Sequence, residues 1–122
     1  MILAAFAAAL VMKCFLFDFM VADGRSMVPA IRPGMVLMVN RLAYGFHLPW
    51  PGGYLARWSL PKTGEVLVFF TPQGTLAVKR CGAVLPGGEF IALGDNSTDS
   101  YDSRSYGPIP AGRIVGKVIG IK

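Results

Sequence analysis

The residues of this chain best suited to catalysis are one serine and one lysine. Ser26 lies in the segment GRSMVP, where Gly24 permits close backbone approach and Pro29 stiffens the turn. Lys79 ends the segment TLAVK, in a hairpin that we expect to be mostly buried. Burial lowers the pKa of a lysine, so that its neutral amine can take a proton from a serine hydroxyl. The pair therefore predicts hydrolysis by a Ser-Lys dyad.

Other catalytic and binding arrangements lack the residues that they need. His47 is the only histidine and lies in a loop rich in proline and tryptophan, and the two cysteines, Cys14 and Cys81, are far apart. No metal site is therefore expected, and no glycine-rich segment precedes a helix as a phosphate cradle would. We expect neither a cofactor nor a metal. The sequence leaves open whether the two cysteines form a disulfide or remain separate buried thiols.

A third segment, GDNSTDSYDSR at residues 94–104, concentrates polar side chains. It holds three acidic residues, three serines and one arginine within eleven positions. Residues of these types are common in structural turns, as are a serine in a turn and a lysine at the end of a strand. The combination of this segment with SMVP and VKR in one short chain is much more specific than any of the three alone.

Apolar segments and turns predict the elements that must position these residues. The segment at 65–70 is almost wholly apolar and is expected to be a strand buried on both faces, whereas residues 46–60 are expected to be a loop. Because no helical period is visible after residue 30, we expect a mainly β fold, a small antiparallel β-barrel or sandwich. The predicted strands are residues 35–43, 65–70, 75–80, 89–93 and 113–121.

Hydrophobic residues concentrate at the start of the chain. The sequence is 53% hydrophobic and 16% charged, with a mean hydropathy of +0.50, whereas soluble domains carry about 25% charged residues. Residues 1–22 contain only Lys13 and Asp18 as charged residues. We therefore expect an N-terminal membrane-anchor helix and lead-in over residues 1–22, and a β-rich catalytic domain over residues 23–122.

The predicted anchor is short for a membrane span. The apolar run from Ile2 to Met12 is eleven residues long, whereas a helix that crosses a bilayer needs about 20 residues. Lys13 would then extend its amine toward the membrane interface. A buried core helix remains an alternative, while a cleaved signal peptide is disfavoured because no basic residue precedes the run.

The net charge of +5 is modest, and the basic residues form no run. A solvated surface, or attraction to anionic lipid headgroups, accounts for such a charge. Basic residues do not alternate with aromatic residues along any one element, so binding to nucleic acid is not expected.

Three motifs of this sequence occur in the same order in a known family. They are GRSMVPAIRPG, AVKRCG and LGDNSTDSYDSRSYGPIP, the last followed by GRIVGKV. From Lys13 to its end, the sequence resembles the bacterial type I signal peptidases, which are membrane-bound Ser-Lys endopeptidases that remove signal peptides. The resemblance implies that Ser26 is the nucleophile, that its backbone N–H is one oxyanion donor, and that Lys79 is the general base.

The third motif carries the supporting residues of the family. By resemblance, Ser100 hydrogen-bonds the lysine amine and orients it. Asp102 and Arg104 match a structural ion pair that holds the site, and Gly94 and Asn96 shape the same loop.

The resemblance also implies a substrate and a location. The substrate is a secretory preprotein with small residues at positions −1 and −3 of the cleavage site, and the second partner is the lipid bilayer. The location is the cytoplasmic (inner) membrane, with a single span and the catalytic domain on the extracytoplasmic side. An extended substrate would pair with strand edges near residues 20–24 and 76–78. The positions that match the family's substrate pocket are all apolar: Met20, Ala22, Met27, Ile31 and Val78.

The sequence departs from the family at two places near the site. Gly24 stands where some members have a serine hydroxyl that donates to the oxyanion, so the second donor is unassigned. Only fourteen residues separate Lys79 from Gly94, far fewer than in larger relatives with an extra β insertion there. Two other functions remain open: a conjugation- or pilin-type Ser-Lys processing peptidase, and a non-catalytic membrane-tethered β module.

Overall fold

The computed structural model describes residues 2–15, 17–47 and 54–122, apart from the side chains of residues 10–15 and 47. Its helices are α1 (Ile2–Phe15) and α2 (Ser103–Tyr106), with 3₁₀ turns at Ser97–Asp99 and Ala111–Arg113. Its strands are β1 (Phe17–Val21), β2 (Val36–Asn40), β3 (Gly45–His47), β4 (Tyr54–Arg57), β5 (Val66–Phe70), β6 (Leu76–Val84), β7 (Glu89–Leu93), β8 (Ile109–Pro110) and β9 (Ile114–Ile121).

Seven of these strands form one curled antiparallel half-barrel sheet in the order β1-β2-β9-β5-β6-β7-β8. The last strand of the chain, β9, lies between β2 and β5, and so joins the N-terminal hairpin to the strands that follow. The prediction of a mainly β fold is confirmed. No helix among the described residues has the length and apolar character that crossing a membrane requires.

Strand β5 separates two hydrophobic clusters because its side chains alternate between the faces of the sheet. Leu67 and Phe69 pack on one face in a cluster with Phe90, where the rings of Phe69 and Phe90 meet edge to face. Val68 packs on the opposite face with Met27 and with apolar residues of β2 and β9. The strand is therefore buried on both faces, as predicted. The second cluster lies directly beneath the segment that carries Ser26.

The prediction of a loop over residues 46–60 is partly wrong. Strands β3 and β4 pair as a separate two-stranded sheet, with Gly45 opposite Arg57. The hydroxyl of Tyr54 donates to the backbone carbonyl of Ile114 at 2.9 Å, which attaches the hairpin to β9. The proline- and tryptophan-rich stretch at 48–53 lies outside the described residues.

The N-terminal segment of residues 1–22 contains a strand as well as a helix. Helix α1 ends at Phe15, and β1 pairs antiparallel with β2 over Phe17–Val21. Along β1, alternate side chains are exposed, while Asp18 faces a buried partner and forms an ion pair with Arg41 at 3.3 Å. The lead-in is therefore the edge strand of the sheet and does not continue the apolar helix.

The hairpin between β6 and β7 has a tight turn far from Lys79. The backbone N–H of Leu85 donates to the carbonyl of Glu89 at 2.7 Å, and Gly88 has a φ of +88°, a conformation that glycine adopts without strain. Lys79 lies toward the start of β6, and Gly94 directly follows the end of β7. The hairpin thus has two catalytic-site candidates at one end and a short turn at the other.

Candidate active site

The turn that carries Ser26 is fixed at both ends. Before it, the N–H of Ala22 donates to the carbonyl of Met35 at 2.8 Å. After it, Met27 and Ile31 are buried in the core, and the N–H of Ile31 donates to the carbonyl of Met27 at 2.8 Å. Gly24 has a φ of +78°, which explains a glycine at this position. The serine therefore projects from a rigid corner.

Lys79 meets this serine from the middle of the sheet. In β6 it is paired with Leu67 of β5, and its side chain is only 7% exposed. Its Nζ donates a hydrogen bond to Ser26 Oγ at 2.8 Å. Burial lowers the pKa of Lys79 from its ordinary value, and the negative charge of Asp102 opposes that shift in part. A lysine in this setting can be neutral at a lower pH than a solvated one, and so can act as a base.

Asp102 forms the centre of the polar loop at residues 94–104. Its side chain is fully buried, and it accepts hydrogen bonds from the backbone N–H of Gly94 at 2.8 Å, from Ser100 Oγ at 2.8 Å and from the guanidinium of Arg104. Desolvation alone would raise the pKa of Asp102, but these hydrogen bonds outweigh it and hold the pKa well below its usual range. The carboxylate stays charged and fixes the shape of the loop.

Two residues join this loop to the turn of the serine. The backbone N–H of Asn96 donates to the carbonyl of Ser26 at 2.7 Å, and its side-chain amide donates to the carbonyl of Arg25 at 3.1 Å. At Gly94, an added Cβ would overlap the Ser100 side chain and would lie 2.8 Å from the Ser26 carbonyl. The loop and the turn thus touch through their backbones, at a position where only glycine fits.

Ser100 donates its hydroxyl hydrogen to Asp102. A hydroxyl that donates to a carboxylate keeps its oxygen lone pairs as acceptors, and Ser100 also lies against Gly94 at the contact with Ser26. Its role in orienting the Lys79 amine stays a prediction.

An open cleft of about 310 Å³ lies beside the two candidate catalytic side chains. All five residues predicted for the substrate pocket line it, together with Leu37 and Val68, which sequence reasoning did not single out. These two come from strands whose inward faces can be assigned only once the sheet register is known. Strand β6 pairs with β7 from Arg80 onward. The residues of β6 that precede Arg80, at positions 76–79, border the cleft.

Sequence reasoning also missed an ion pair that ties β6 to the polar loop. The guanidinium of Arg80 makes two hydrogen bonds to the Asp95 carboxylate, at 2.9 and 2.8 Å, and a third to the carbonyl of Gly64. The adjacent pairs Lys79-Arg80 and Gly94-Asp95 offered a signal, since each places a charged residue next to a residue already selected for the site. This ion pair holds β6 against the loop.

The remaining candidates do not enter the site. Cys81 is a buried free thiol, and burial, followed by the charge of Glu65, raises its pKa to about 11. Cys81 therefore forms no disulfide, and the side chain of Cys14 lies outside the described residues. Within the described parts of the chain, no group of three His, Cys, Asp or Glu side chains is placed to hold a metal ion.

A serine hydroxyl that accepts a hydrogen bond from a buried lysine, beside an apolar cleft, is the arrangement that hydrolysis by a Ser-Lys pair would require. The sequence matches the family described as "Signal peptidase, peptidase S26" over residues 1–87 and 79–121. The chain belongs to this family, which confirms the resemblance found in its motifs.

Individual relatives support the same assignment at low identity. The chain is 34% identical to signal peptidase I of Haemophilus influenzae, over 91% of its own length and 30% of that protein. It is 26% identical to signal peptidase I of Bacillus caldolyticus, over 88% of its own length and 80% of that protein. It is 26% identical to the mitochondrial ATP-independent inner membrane protease subunit 1b of Arabidopsis thaliana, over 80% of its length and 65% of that protein. The chain thus spans less than two thirds of two of these relatives.

Proposed function

We propose that this chain is a signal peptidase I, a serine endopeptidase that removes N-terminal signal peptides from secreted preproteins with a Ser-Lys dyad. The observation that carries the proposal is the 2.8 Å hydrogen bond from the buried Lys79 Nζ to Ser26 Oγ at the edge of an apolar cleft. The family of the chain and its named relatives are peptidases, which supports the same reaction class.

The chemistry begins at Ser26. Its Oγ attacks the carbonyl carbon of the scissile peptide bond while its proton passes to the neutral Nζ of Lys79. The backbone N–H of Ser26 donates to the resulting oxyanion. The Lys79 ammonium then gives its proton to the departing amine, the C–N bond breaks, and an acyl ester remains on Ser26. Water that loses a proton to Lys79 hydrolyses this ester and restores the serine.

The supporting residues keep this geometry. Asp102 stays ionised because of its hydrogen-bond donors, and it holds the loop that presses Gly94 against the Ser26 backbone. We assign to Ser100 the orientation of the Lys79 amine, through the lone pairs that its bond to Asp102 leaves free. Asp102 and Arg104 are structural residues in this scheme.

The lining of the cleft supports a preference for small, uncharged residues at positions −1 and −3. The cleft is lined mostly by apolar side chains, including Ala22, Met27 and Val78. An extended peptide would lie between residues 20–24 and 76–78, with alternate side chains directed into the cleft. Small apolar side chains at these two positions would match the apolar lining.

The N-terminal segment supports association with a lipid bilayer. Helix α1 exposes apolar side chains such as Ile2, Leu3 and Phe6, and the following strand exposes Phe19 and Val21. Exposed apolar side chains of this kind are unfavourable in water and favourable in a membrane interface. We propose placement at the cytoplasmic membrane through residues 1–22, with domain 23–122 on the extracytoplasmic side. Accessibility of a C-terminal tag to protease on intact cells tests this orientation, and protection of the tag would contradict it.

The function is tested by cleavage of a preprotein in detergent-lipid micelles by the full chain. Ser26→Ala and Lys79→Ala are expected to abolish cleavage, with a loss of at least about 1000-fold. The matched controls are Ser59→Ala and Lys62→Ala, two exposed positions away from the cleft, which should cleave at the parent rate. Retained cleavage in either dyad variant contradicts the Ser-Lys assignment, whereas cleavage of one dedicated precursor alone favours the conjugation- or pilin-type peptidase.

A further inference from the structure

The cleft has charged side chains at two places. Among the described residues that line it, only Lys79 and Asp23 carry a charge. Lys79 is buried and bonded to Ser26, but Asp23 is exposed at the rim. The mechanism proposed above gives Asp23 no role. An exposed carboxylate at the rim of a peptide-binding cleft faces whatever side chain the peptide presents there.

The carboxylate of Asp23 is held in place and retains acceptor capacity. Its Oδ1 accepts a hydrogen bond from the backbone N–H of Gly24 at 2.9 Å, which restrains the side chain next to the turn of the nucleophile. The nearest basic residue along the chain, Arg25, is directed to Asp99, with 3.7 Å between the charged atoms. Within the described parts of the chain, Oδ2 of Asp23 makes no hydrogen bond or ion pair, and it can accept a cationic group of a substrate.

The alternation of half-buried and exposed side chains before Ser26 indicates which substrate position faces Asp23. Met20 and Ala22 are half-buried beside the cleft, while Val21 and Asp23 are exposed. An extended peptide beside this stretch also alternates, so that positions −1 and −3 point into the cleft and position −2 points to the same side as Asp23. Asp23 is three residues from Ser26, closer to the scissile bond than Val21. It is therefore next to position −2.

We propose that Asp23 is a specificity-determining residue that favours lysine or arginine at position −2 of the substrate and disfavours acidic residues there. This inference rests on the proposed peptidase function and on an extended substrate. Because the pair is exposed, the preference is small, about two- to fivefold in kcat/KM between a basic and an acidic residue at −2. It should nearly disappear at 1 M salt, where the screening length is about 3 Å.

The test uses the full chain and three peptides that differ only at position −2, with lysine, alanine or glutamate. The measured quantity is the ratio of kcat/KM for the lysine and glutamate peptides, so that a general change in activity cancels. The ratio should exceed one for the parent, approach one for Asp23→Asn, and fall below one for Asp23→Lys. Asp23→Asn keeps an acceptor for the Gly24 N–H, so the turn is retained.

The matched control is Glu89→Gln, which removes one exposed negative charge on β7, away from the cleft. It should leave the ratio at the parent value. A parent ratio of one, or an equal change in Asp23→Asn and Glu89→Gln, overturns the inference while leaving the peptidase function standing. Failure of the parent to cleave even the alanine peptide overturns the proposed function and this inference with it.

Discussion

Lys79 and Asp102 are both buried charged residues of the candidate site, but their surroundings are opposite. Lys79 is paired with Leu67 across the sheet, and its amine has the Ser26 hydroxyl as its described hydrogen-bond partner. Asp102 accepts hydrogen bonds from two backbone N–H groups, one hydroxyl and one guanidinium. Burial dominates at the lysine and lowers its pKa, while hydrogen bonds dominate at the aspartate and lower its pKa as well.

The two shifts have opposite meanings for stability. A lowered pKa makes the lysine easier to deprotonate, so its burial as a cation is unfavourable and its neutral form serves catalysis. The same direction of shift at an aspartate means that the charged form is favoured by the fold. Lys79 thus destabilises the fold but is the base that the proposed reaction needs, whereas Asp102 stabilises the fold and holds the loop in place.

The largest expected effect on stability is at the aspartate. Asp102→Asn should lower the free energy of unfolding by about 2–4 kcal/mol, because several donors lose a charged acceptor in a buried place. The difference should shrink as the pH falls below about 4, since Asp102 contributes stability only above the pKa of an unfolded aspartate and loses it as the pH approaches its lower folded value. Urea titration at pH 7 and pH 3 measures both effects.

Asp95→Asn is the control for that experiment, because Asp95 forms the exposed ion pair with Arg80. It should cost less than about 1 kcal/mol. Equal losses in the two variants would contradict the distinction between a saturated buried carboxylate and an ordinary surface pair.

The contact between the polar loop at residues 94–104 and the turn that carries Ser26 is tested at Gly94. Gly94→Ala should reduce kcat about 100-fold, because its Cβ would overlap Ser100 and push the loop away from the Ser26 backbone. Gly112→Ala is the matched control, since a Cβ there meets no atom within 4 Å and its rate should stay within about twofold of the parent. An active Gly94→Ala enzyme would mean that the loop does not position the nucleophile.

At Lys79, we expect a substitution to raise the free energy of unfolding rather than lower it. Lys79→Met should remove activity but raise the free energy of unfolding at pH 7 by about 1 kcal/mol, because methionine fills the site without a buried charge. The folded pKa of Lys79 lies below its unfolded value, so the unfolded chain binds more protons and parent stability rises with pH through this window. The gain should therefore vanish near pH 10.5, and its persistence in urea titrations there would show that packing, rather than charge, is responsible.

The smallest expected effect is a shift of the pH profile. Below the pKa of Lys79, kcat/KM should fall about tenfold per pH unit as the amine becomes protonated. Asp102 raises that pKa through its negative charge, so Asp102→Asn should move the acid limb to lower pH. The measurement is kcat/KM against pH at a temperature where the variant stays folded. An unmoved limb would separate Asp102 from the electrostatics of the dyad.

Much of the fold followed from the apolar segments and the turns in the sequence. The strand Glu89–Leu93 lies where it was predicted, and β5 is buried on both faces because all its residues are apolar. Strand β1 was missed because its apolar residues directly follow an apolar helix. What distinguishes it from the helix is the inward carboxylate of Asp18, whose partner Arg41 is distant in sequence. The hairpin of β3 and β4 was hidden by the prolines and glycines that interrupt it.

The site followed from motifs rather than from spacing. Burial of Lys79 could be expected from its apolar neighbours, but its contact with Ser26 depends on how β5, β6 and β9 are ordered in the sheet. The hydroxyl of Ser100 could donate to Asp102 or serve Lys79, and sequence alone cannot decide between hydrogen-bond partners. The charge of Asp23 at the cleft rim became visible only when the lining of the cleft was known.

The short turn between β6 and β7 is a position at which we expect this chain to tolerate an insertion. Lys79 is followed by five strand residues, about 17 Å of extended chain, before the turn at Leu85–Gly88, and an added Cβ at Gly87 meets nothing within 4 Å. A foreign domain whose ends are close together could be inserted there without moving either strand at its catalytic end. The turn is thus a natural attachment point for a sensor or recruitment module, and insertions of different sizes there are compatible with one unchanged chemistry.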